Sequence, residues 1–220
     1  MTYRVKELFP TLQGEGVRAG RAAVFCRFSG CNLWTGREEH RATAVCRFCD
    51  TDFVGTDGPG GGTFATAAEL ADAVARCWAD GFGAGGEPYV VCTGGEPLLQ
   101  MDAELVAAFH DAGLEVAVET NGTRPAPPGL DWVCVSPKAG AEVVLDRADE
   151  WKVVVPQDGV EEADLLAIED RAAGAPVLAQ PMDDPDPARA AANVAWALDW
   201  CRRHPRWRLA LQTHKYLGIP

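Results

Sequence analysis

Cys31, Cys46 and Cys49 are spaced C-x14-C-x2-C in a polar, irregular stretch of the chain. Thiols placed this way serve as metal ligands or as redox groups. Structural zinc normally takes four protein ligands, and the fourth would have to be His40 or Asp50, neither at a familiar spacing. A thioredoxin-like redox pair belongs at a helix start in a different βαβ setting. Thiolates also suit iron–sulfur clusters. Three of them on a four-iron cluster leave one iron open for a substrate or cofactor. Spacing alone leaves iron–sulfur, zinc and a chance grouping all open.

Two neighbouring features bear on the choice. TGGEP (93–97) directly follows the strand-like YVVCT. Gly94 and Gly95 let backbone groups approach a ligand closely, Glu96 adds a carboxylate suited to an ammonium group, and Pro97 stiffens the turn. A plain strand-to-helix turn is the bland alternative. Phe48, just before Cys49, is placed to stack on a purine or to pack in the core. The other five of the eight cysteines lie in apolar strand-like (Cys26, Cys92, Cys134) or helix-like (Cys77, Cys201) segments. There they read as small core hydrophobes.

The elements that must position these groups alternate along the chain. Strand-like runs cover Val5–Phe9, Ala23–Phe28, Tyr89–Thr93, Glu115–Glu119, Trp132–Ser136, Trp151–Val155, Val177–Gln180 and Arg208–Gln212. Most are near-continuous apolar runs, as expected of parallel strands covered on both faces. Thr66 with Glu69 predicts a capping box and a helix to about Ala79. Asp102 caps a second helix, which Gly113 ends. A third spans Glu161–Ala172, and a fourth runs from Pro187 to near His204. This alternation predicts an α/β fold with a parallel sheet curled as a full or partial barrel. In such folds chemistry collects at the C-terminal strand ends. SGC, TGGEP, ETNG, SPK and QPMD all fall there, which predicts one convergent site. The glycine-rich GTDGPGGGT (55–63) reads as a mobile surface loop.

Bulk properties narrow the function. A chain of 220 residues, 47% hydrophobic, fits a single α/β domain. No apolar run nears the ~20 residues needed to span a bilayer, and MTYRVKELFP lacks the secretory pattern. A cytoplasmic protein without disulfides is expected. The formal net charge of −12 argues against nucleic-acid binding.

Three clustered cysteines, an aromatic before the last and a GGEP strand end resemble the radical S-adenosylmethionine superfamily. The stretched cysteine gap narrows the likeness further, together with FPTLQGEG (9–16), FCRFSGCNLW (25–34), CDT (49–51) and QTHKYLGIP (212–220). As a set, these motifs resemble the 7-carboxy-7-deazaguanine synthase family over nearly the whole chain. The resemblance implies a modified, incomplete (partial TIM-like) β/α barrel with mostly parallel strands, in one domain (1–220) with a cluster-binding loop at about 29–63. The implied reaction converts 6-carboxy-5,6,7,8-tetrahydropterin to 7-carboxy-7-deazaguanine with loss of ammonia, on the route to queuosine and other deazapurines. It proceeds by hydrogen abstraction at carbon 6 of the pterin, ring contraction and hydrogen return. The cofactors implied are a [4Fe-4S] cluster, S-adenosylmethionine and magnesium. A flavodoxin-type electron donor and a homodimer are implied as partners.

The resemblance also assigns residues. Cys31, Cys46 and Cys49 match the cluster ligands. Phe48, Cys49 and Asp50, Gly95, Ser136, Pro137 and Lys138, and Gln180, Pro181, Met182 and Asp183 match the S-adenosylmethionine site. Leu12, Gln13, Gly14 and Glu15, with Arg27 and Thr93, match substrate contacts. Thr51 matches the magnesium ligand, and Pro220 matches a residue whose free carboxylate meets the substrate. Arg27 offers a planar fork for a carboxylate, and a hydroxyl such as that of Thr51 suits magnesium. Two rival functions remain: an activase that abstracts hydrogen from a protein glycine, and a zinc-stabilised scaffold without catalysis. The long cysteine gap, Thr51 and QTHKYLGIP disfavour the first, while metal and sulfide analysis tests the second.

Overall fold

The computed structural model describes residues 2–220. Nine strands form one sheet: β1 (Tyr3–Leu12), β2 (Ala22–Phe28), β3 (Gly62–Phe64), β4 (Tyr89–Gly94), β5 (Glu115–Thr120), β6 (Trp132–Val135), β7 (Glu150–Val155), β8 (Val177–Pro181) and β9 (Trp207–Leu209). Their order is β3-β1-β2-β4-β5-β6-β7-β8-β9. From β2 to β9 every pairing is parallel, whereas β1 runs antiparallel to both β2 and β3. The two edges, β3 and β9, do not pair, so the barrel is incomplete.

Five α-helices accompany the strands: α1 (Ala67–Phe82), α2 (Ala103–Asp111), α3 (Glu162–Arg171) and α4 (Pro187–Arg203) between strands, and α5 (Thr213–Leu217) after the last. The caps expected from sequence form. The Thr66 side chain accepts from the Glu69 amide and that of Asp102 from Leu105. Pro187 opens α4, and Gly113 follows α2 at φ 77°. The core lies where α1 and α2 cover β1, β2, β4 and β5, with Leu70, Val74, Leu105 and Phe109 on the side of the sheet that carries Val24, Val90, Cys92 and Val116. No described helix is long and apolar enough to cross a membrane.

Two expectations are corrected. The stretch 55–63 is seated along β1. The Gly58 amide donates to Lys6 O (2.9 Å), the Leu8 amide to Pro59 O (2.8 Å) and Lys6 Nζ to Asp57 (2.8 Å), and the stretch runs into β3. Its glycines serve close approach, since a Cβ on Gly61 would strike the Lys6 carbonyl. The last strand is Trp207–Leu209, not Arg208–Gln212, because the chain leaves the sheet to enter α5.

Candidate active site

Parallel pairing puts the C-terminal ends of β2, β4, β5, β6, β7 and β8 on one rim, and a cavity of about 410 Å³ opens inside it. The cluster-ligand candidates Cys31, Cys46 and Cys49 line it, as do Phe48, Asp50 and Thr51 from the same loop. Gly95, Ser136, Lys138 and the segment Gln180–Asp183 line it from the strand ends. Leu12, Gln13, Gly14 and Glu15 line it from the end of β1, Arg27 and Thr93 from adjacent strands, and Pro220 from the C-terminal segment. Arg27 and Thr93 stand in register between β2 and β4. Of the residues matched to the site by the resemblance, only Pro137 stays out of the wall. It is buried behind Ser136, its carbonyl accepting from Gln157 Nε2 (3.4 Å).

All three loop cysteines carry free thiols. The Cys46 thiol faces the Cys49 sulfur. That hydrogen bond pulls Cys49 down to about 6, against the opposing effect of burial, and pushes Cys46 well up. Burial raises Cys31. The contact favours the thiolate at Cys49, the form that binds metal. A fourth protein ligand for zinc is not at hand. His40 is tied to Thr35 (2.9 Å) in an exposed turn, and Asp50 accepts from Lys215 Nζ (2.7 Å). The three thiols line one cavity with no free fourth group beside them, which suits a cluster with one open iron better than a structural zinc. No three described His, Cys, Asp or Glu side chains here are drawn together on one metal position.

TGGEP turns out to be a fastener. The Gly95 amide donates to Phe28 O (3.1 Å) and the Glu96 amide to Gly30 O (2.9 Å), stitching β4 to the end of β2 beside Cys31. A Cβ on Gly95 would strike the Gly30 carbonyl and lie 3.0 Å from Cys31 Cβ, so glycine is required for this approach. The Glu96 carboxylate does not face an ammonium site. It is fully buried and accepts from the Leu98 amide (3.0 Å), Thr120 Oγ1 (2.6 Å) and the Asn121 amide (2.8 Å). Burial raises its pKa despite those donors.

Across the cavity, the loop after β1 plugs the N-terminal end of the barrel. Arg18 and Arg21 pair with Glu115 at the start of β5, and the Val17 amide donates to Glu150 (2.6 Å) at the start of β7. Between plug and rim lies a polar chain that sequence reading missed. Lys152 Nζ, on a side chain 3% exposed, donates to Glu15 (2.6 Å) and Glu119 (2.9 Å). Gln13 Nε2 donates to Glu119 (2.9 Å), and Gln212 Nε2 to Glu15 (2.9 Å). Desolvation pushes the Glu15 carboxyl up, but the Lys152 charge, the hydrogen bonds from Lys152 and Gln212 and the nearby His214 together outweigh it and leave Glu15 at about 2. Burial opposes the charge on Lys152, yet Glu119 and Glu15 raise its pKa well above the ordinary lysine value. The missed signal was a lone lysine inside WKVVV, a strand that is otherwise apolar. Arg27 Nε donates to Glu7 (2.7 Å), and its Nη groups have no protein partner among the described residues. Gln180 Oε1 is buried at the rim without a hydrogen-bond partner among the described residues.

A half-open, mostly parallel barrel that lines one cavity with three free thiols and a polar chain has the architecture of a β/α enzyme with its site at the strand ends. No protein-family model matches the chain. Among curated proteins it is 61% identical to the 7-carboxy-7-deazaguanine synthase of Bordetella pertussis and 56% identical to that of Burkholderia multivorans, each alignment covering all of both chains. The crystal structure of QueE from Escherichia coli superposes with a TM-score of 0.68 at 27% identity, covering 97% of this chain and 95% of that one. The chain belongs to the 7-carboxy-7-deazaguanine synthase family, radical S-adenosylmethionine enzymes of queuosine biosynthesis.

Proposed function

We propose that this chain contracts 6-carboxy-5,6,7,8-tetrahydropterin to 7-carboxy-7-deazaguanine, using each residue matched from sequence in its matched role. The observation that carries the reading is the cavity: every one of those residues except Pro137 lines it. Cys31, Cys46 and Cys49 would hold a [4Fe-4S] cluster. S-adenosylmethionine would lie along Phe48, Asp50, Gly95, Ser136 and Lys138, and along the β8 end from Gln180 to Asp183, with Pro137 acting through the backbone of its loop. Bound together, cluster and S-adenosylmethionine would supply a hydrogen-abstracting radical.

The chain's own residues do the rest by orientation. The unpartnered Nη groups of Arg27 suit a bidentate bond to the substrate carboxylate. Leu12, Gln13, Gly14, Glu15 and Thr93 present polar edges and backbone to a pterin, and Pro220 closes the far side, its carbonyl accepting from Thr11 Oγ1 (2.7 Å). Thr51 is the magnesium ligand in this reading. Thr51 offers a single oxygen, so substrate oxygens and water would complete the octahedron. One domain with its cluster loop at about 29–63, a homodimeric assembly and a flavodoxin-type electron donor belong to the same proposal.

The test is anaerobic reconstitution with dithionite, S-adenosylmethionine, magnesium and the carboxytetrahydropterin, read by mass spectrometry. Product that vanishes in Cys49→Ala supports both reaction and ligand assignment. Cleavage of S-adenosylmethionine without product discards the pterin.

A further inference from the structure

The 14-residue gap between Cys31 and Cys46 is the feature for which neither sequence nor site geometry gives a reason by itself. In the structure it is a closed loop. Leu33 O accepts from both the Val45 (3.1 Å) and Cys46 (3.4 Å) amides, pinching its ends together. Its middle is a short 3-10 turn, Glu38–Thr43, with no buried residue. A turn so exposed gains little from burial, so some other contact must account for its order.

That contact is Arg41. Its Nη1 donates to Arg47 O (2.7 Å) and Cys49 O (3.0 Å), the carbonyls on either side of Phe48. Its Nε is held by both oxygens of Glu38 (2.8 Å each). The guanidinium lies 4.1 Å over the Trp34 ring. Trp34 is in turn buried, edge-on to Phe53 at 5.6 Å, with its Nε1 donating to Arg37 O (3.2 Å). A planar fork that stacks on one face and donates along its edge is what guanidinium provides and ammonium does not. The carbonyl at 49 belongs to the residue carrying one candidate ligand thiol, and the other ligand of the C-x2-C pair, Cys46, is the residue before 47.

We propose that Arg41 is a positioning residue for the cluster: the inserted loop exists to bring its guanidinium onto the carbonyls of residues 47 and 49, fixing the C-x2-C turn before metal arrives. The proposal rests on the reading of Cys46 and Cys49 as cluster ligands. Besides fixing geometry, the Arg41 guanidinium, paired with Glu38, would lie close to the residues that hold a cluster, and charges and hydrogen bonds around a cluster set its reduction potential.

The experiment compares wild type with Arg41→Ala, Arg41→Lys and Glu38→Gln. In cluster-free protein, amide exchange at Val45 and Cys46 is expected to accelerate about tenfold in Arg41→Ala, the scale of one lost charge-assisted bond. Exchange in β4 and β5 reports whether the fold is intact. In reconstituted protein, the same variant is expected to lose iron to a chelator faster and to show a lower reduction potential. Arg41→Lys restores the potential but not the exchange protection. Glu38→Gln, on a side chain 76% exposed, gives a smaller acceleration in the same direction and covers the case in which Arg41→Ala misfolds. Exchange and iron loss within twofold of wild type in both Arg41→Ala and Glu38→Gln overturn the proposal. A wild-type chain that takes up no four-iron cluster overturns the ligand reading instead, while the exchange arm still decides whether Arg41 holds the turn.

Discussion

Lys152→Met removes the one cation between two carboxylates in the cavity wall. The native ammonium is 2.6 Å from Glu15 and 2.9 Å from Glu119, on a side chain 3% exposed. Methionine keeps most of the volume, so the charge is the main loss. Removing one partner of a buried pair costs about 3–5 kcal/mol, because the remaining charge is left uncompensated. The lower figure applies, since Glu15 keeps the Gln212 amide and a side chain 17% exposed. Unfolding entropy of about 2.1 cal/mol/K per residue over 220 residues converts about 3 kcal/mol into a fall in Tm of roughly 6–7 °C.

The pH dependence gives the sharper test. Glu15 sits at about 2 in the folded chain, against an ordinary value of about 4.3. A carboxylate depressed by folding adds stability above the ordinary value and loses it as pH falls through the folded one. The gap between wild type and variant is therefore full at pH 7, narrows below about pH 4.3 and is largely gone near pH 2. Urea unfolding of cluster-free protein, followed by tryptophan fluorescence at pH 7, 4 and 2.5, measures it. A cost under about 1 kcal/mol at pH 7, the range of a surface pair, refutes the reasoning. So does a cost undiminished at pH 2.5.

Gly95→Ala drives a methyl group into the Gly30 carbonyl beside Cys31. Overpacking of about 1–3 kcal/mol and iron and sulfide contents below wild type are expected from thermal unfolding and metal analysis. Glu96→Gln turns an amide NH2 toward the Asn121 or Leu98 amide, leaving a buried donor facing a donor. A loss of about 1–3 kcal/mol is expected in chemical denaturation. Arg27→Ala is expected to raise the pterin KM about tenfold or more, the scale of a charged hydrogen bond, while cleavage of S-adenosylmethionine without substrate stays near wild type. The Glu7 pair it breaks is partly exposed, so thermal stability moves by no more than about 1 kcal/mol.

Much of this was legible in the chain itself. Strands such as YVVC and VLA are continuous apolar runs because both faces are covered, so their positions and parallel sense followed from pattern. The polar residues at their ends then had to converge. Side-chain direction at a strand end did not follow. Glu96 read as ligand-facing because it trails two glycines, yet the Gly95 and Glu96 amides are both taken by the β2 end, and the carboxylate is left facing β5. The plug was illegible for a related reason. Its partners Glu115, Glu150 and Lys152 lie about a hundred residues or more from it in sequence, and nothing local marks the pairing. The glycine-rich stretch was misread because composition describes a free chain, whereas its glycines here meet the backbone of β1.

The incomplete barrel divides the site into two kinds of wall. The proposed cofactor side is built on parallel strands, and each rim residue inherits its place from a ladder of backbone hydrogen bonds. On the proposed substrate side Leu12, Arg27 and Thr93 stand on strand ladders, but the rest of that wall has none, since β3 and β9 do not meet. It is made of the plug and the C-terminal segment, joined by the Thr213 amide and hydroxyl on Gly14 O (2.8 and 2.9 Å), Gln212 on Glu15, and Thr11 on Pro220. Lys215 extends this seam to the rim, bonding Asp50 (2.7 Å) on the cluster loop and Asp183 (2.6 Å) after β8. Partly exposed ion pairs of this sort contribute about 0–1 kcal/mol each, far less than dismantling a sheet. The seam side of the cavity is therefore the side that yields at least cost, and it is also the side on which the pterin is proposed to lie.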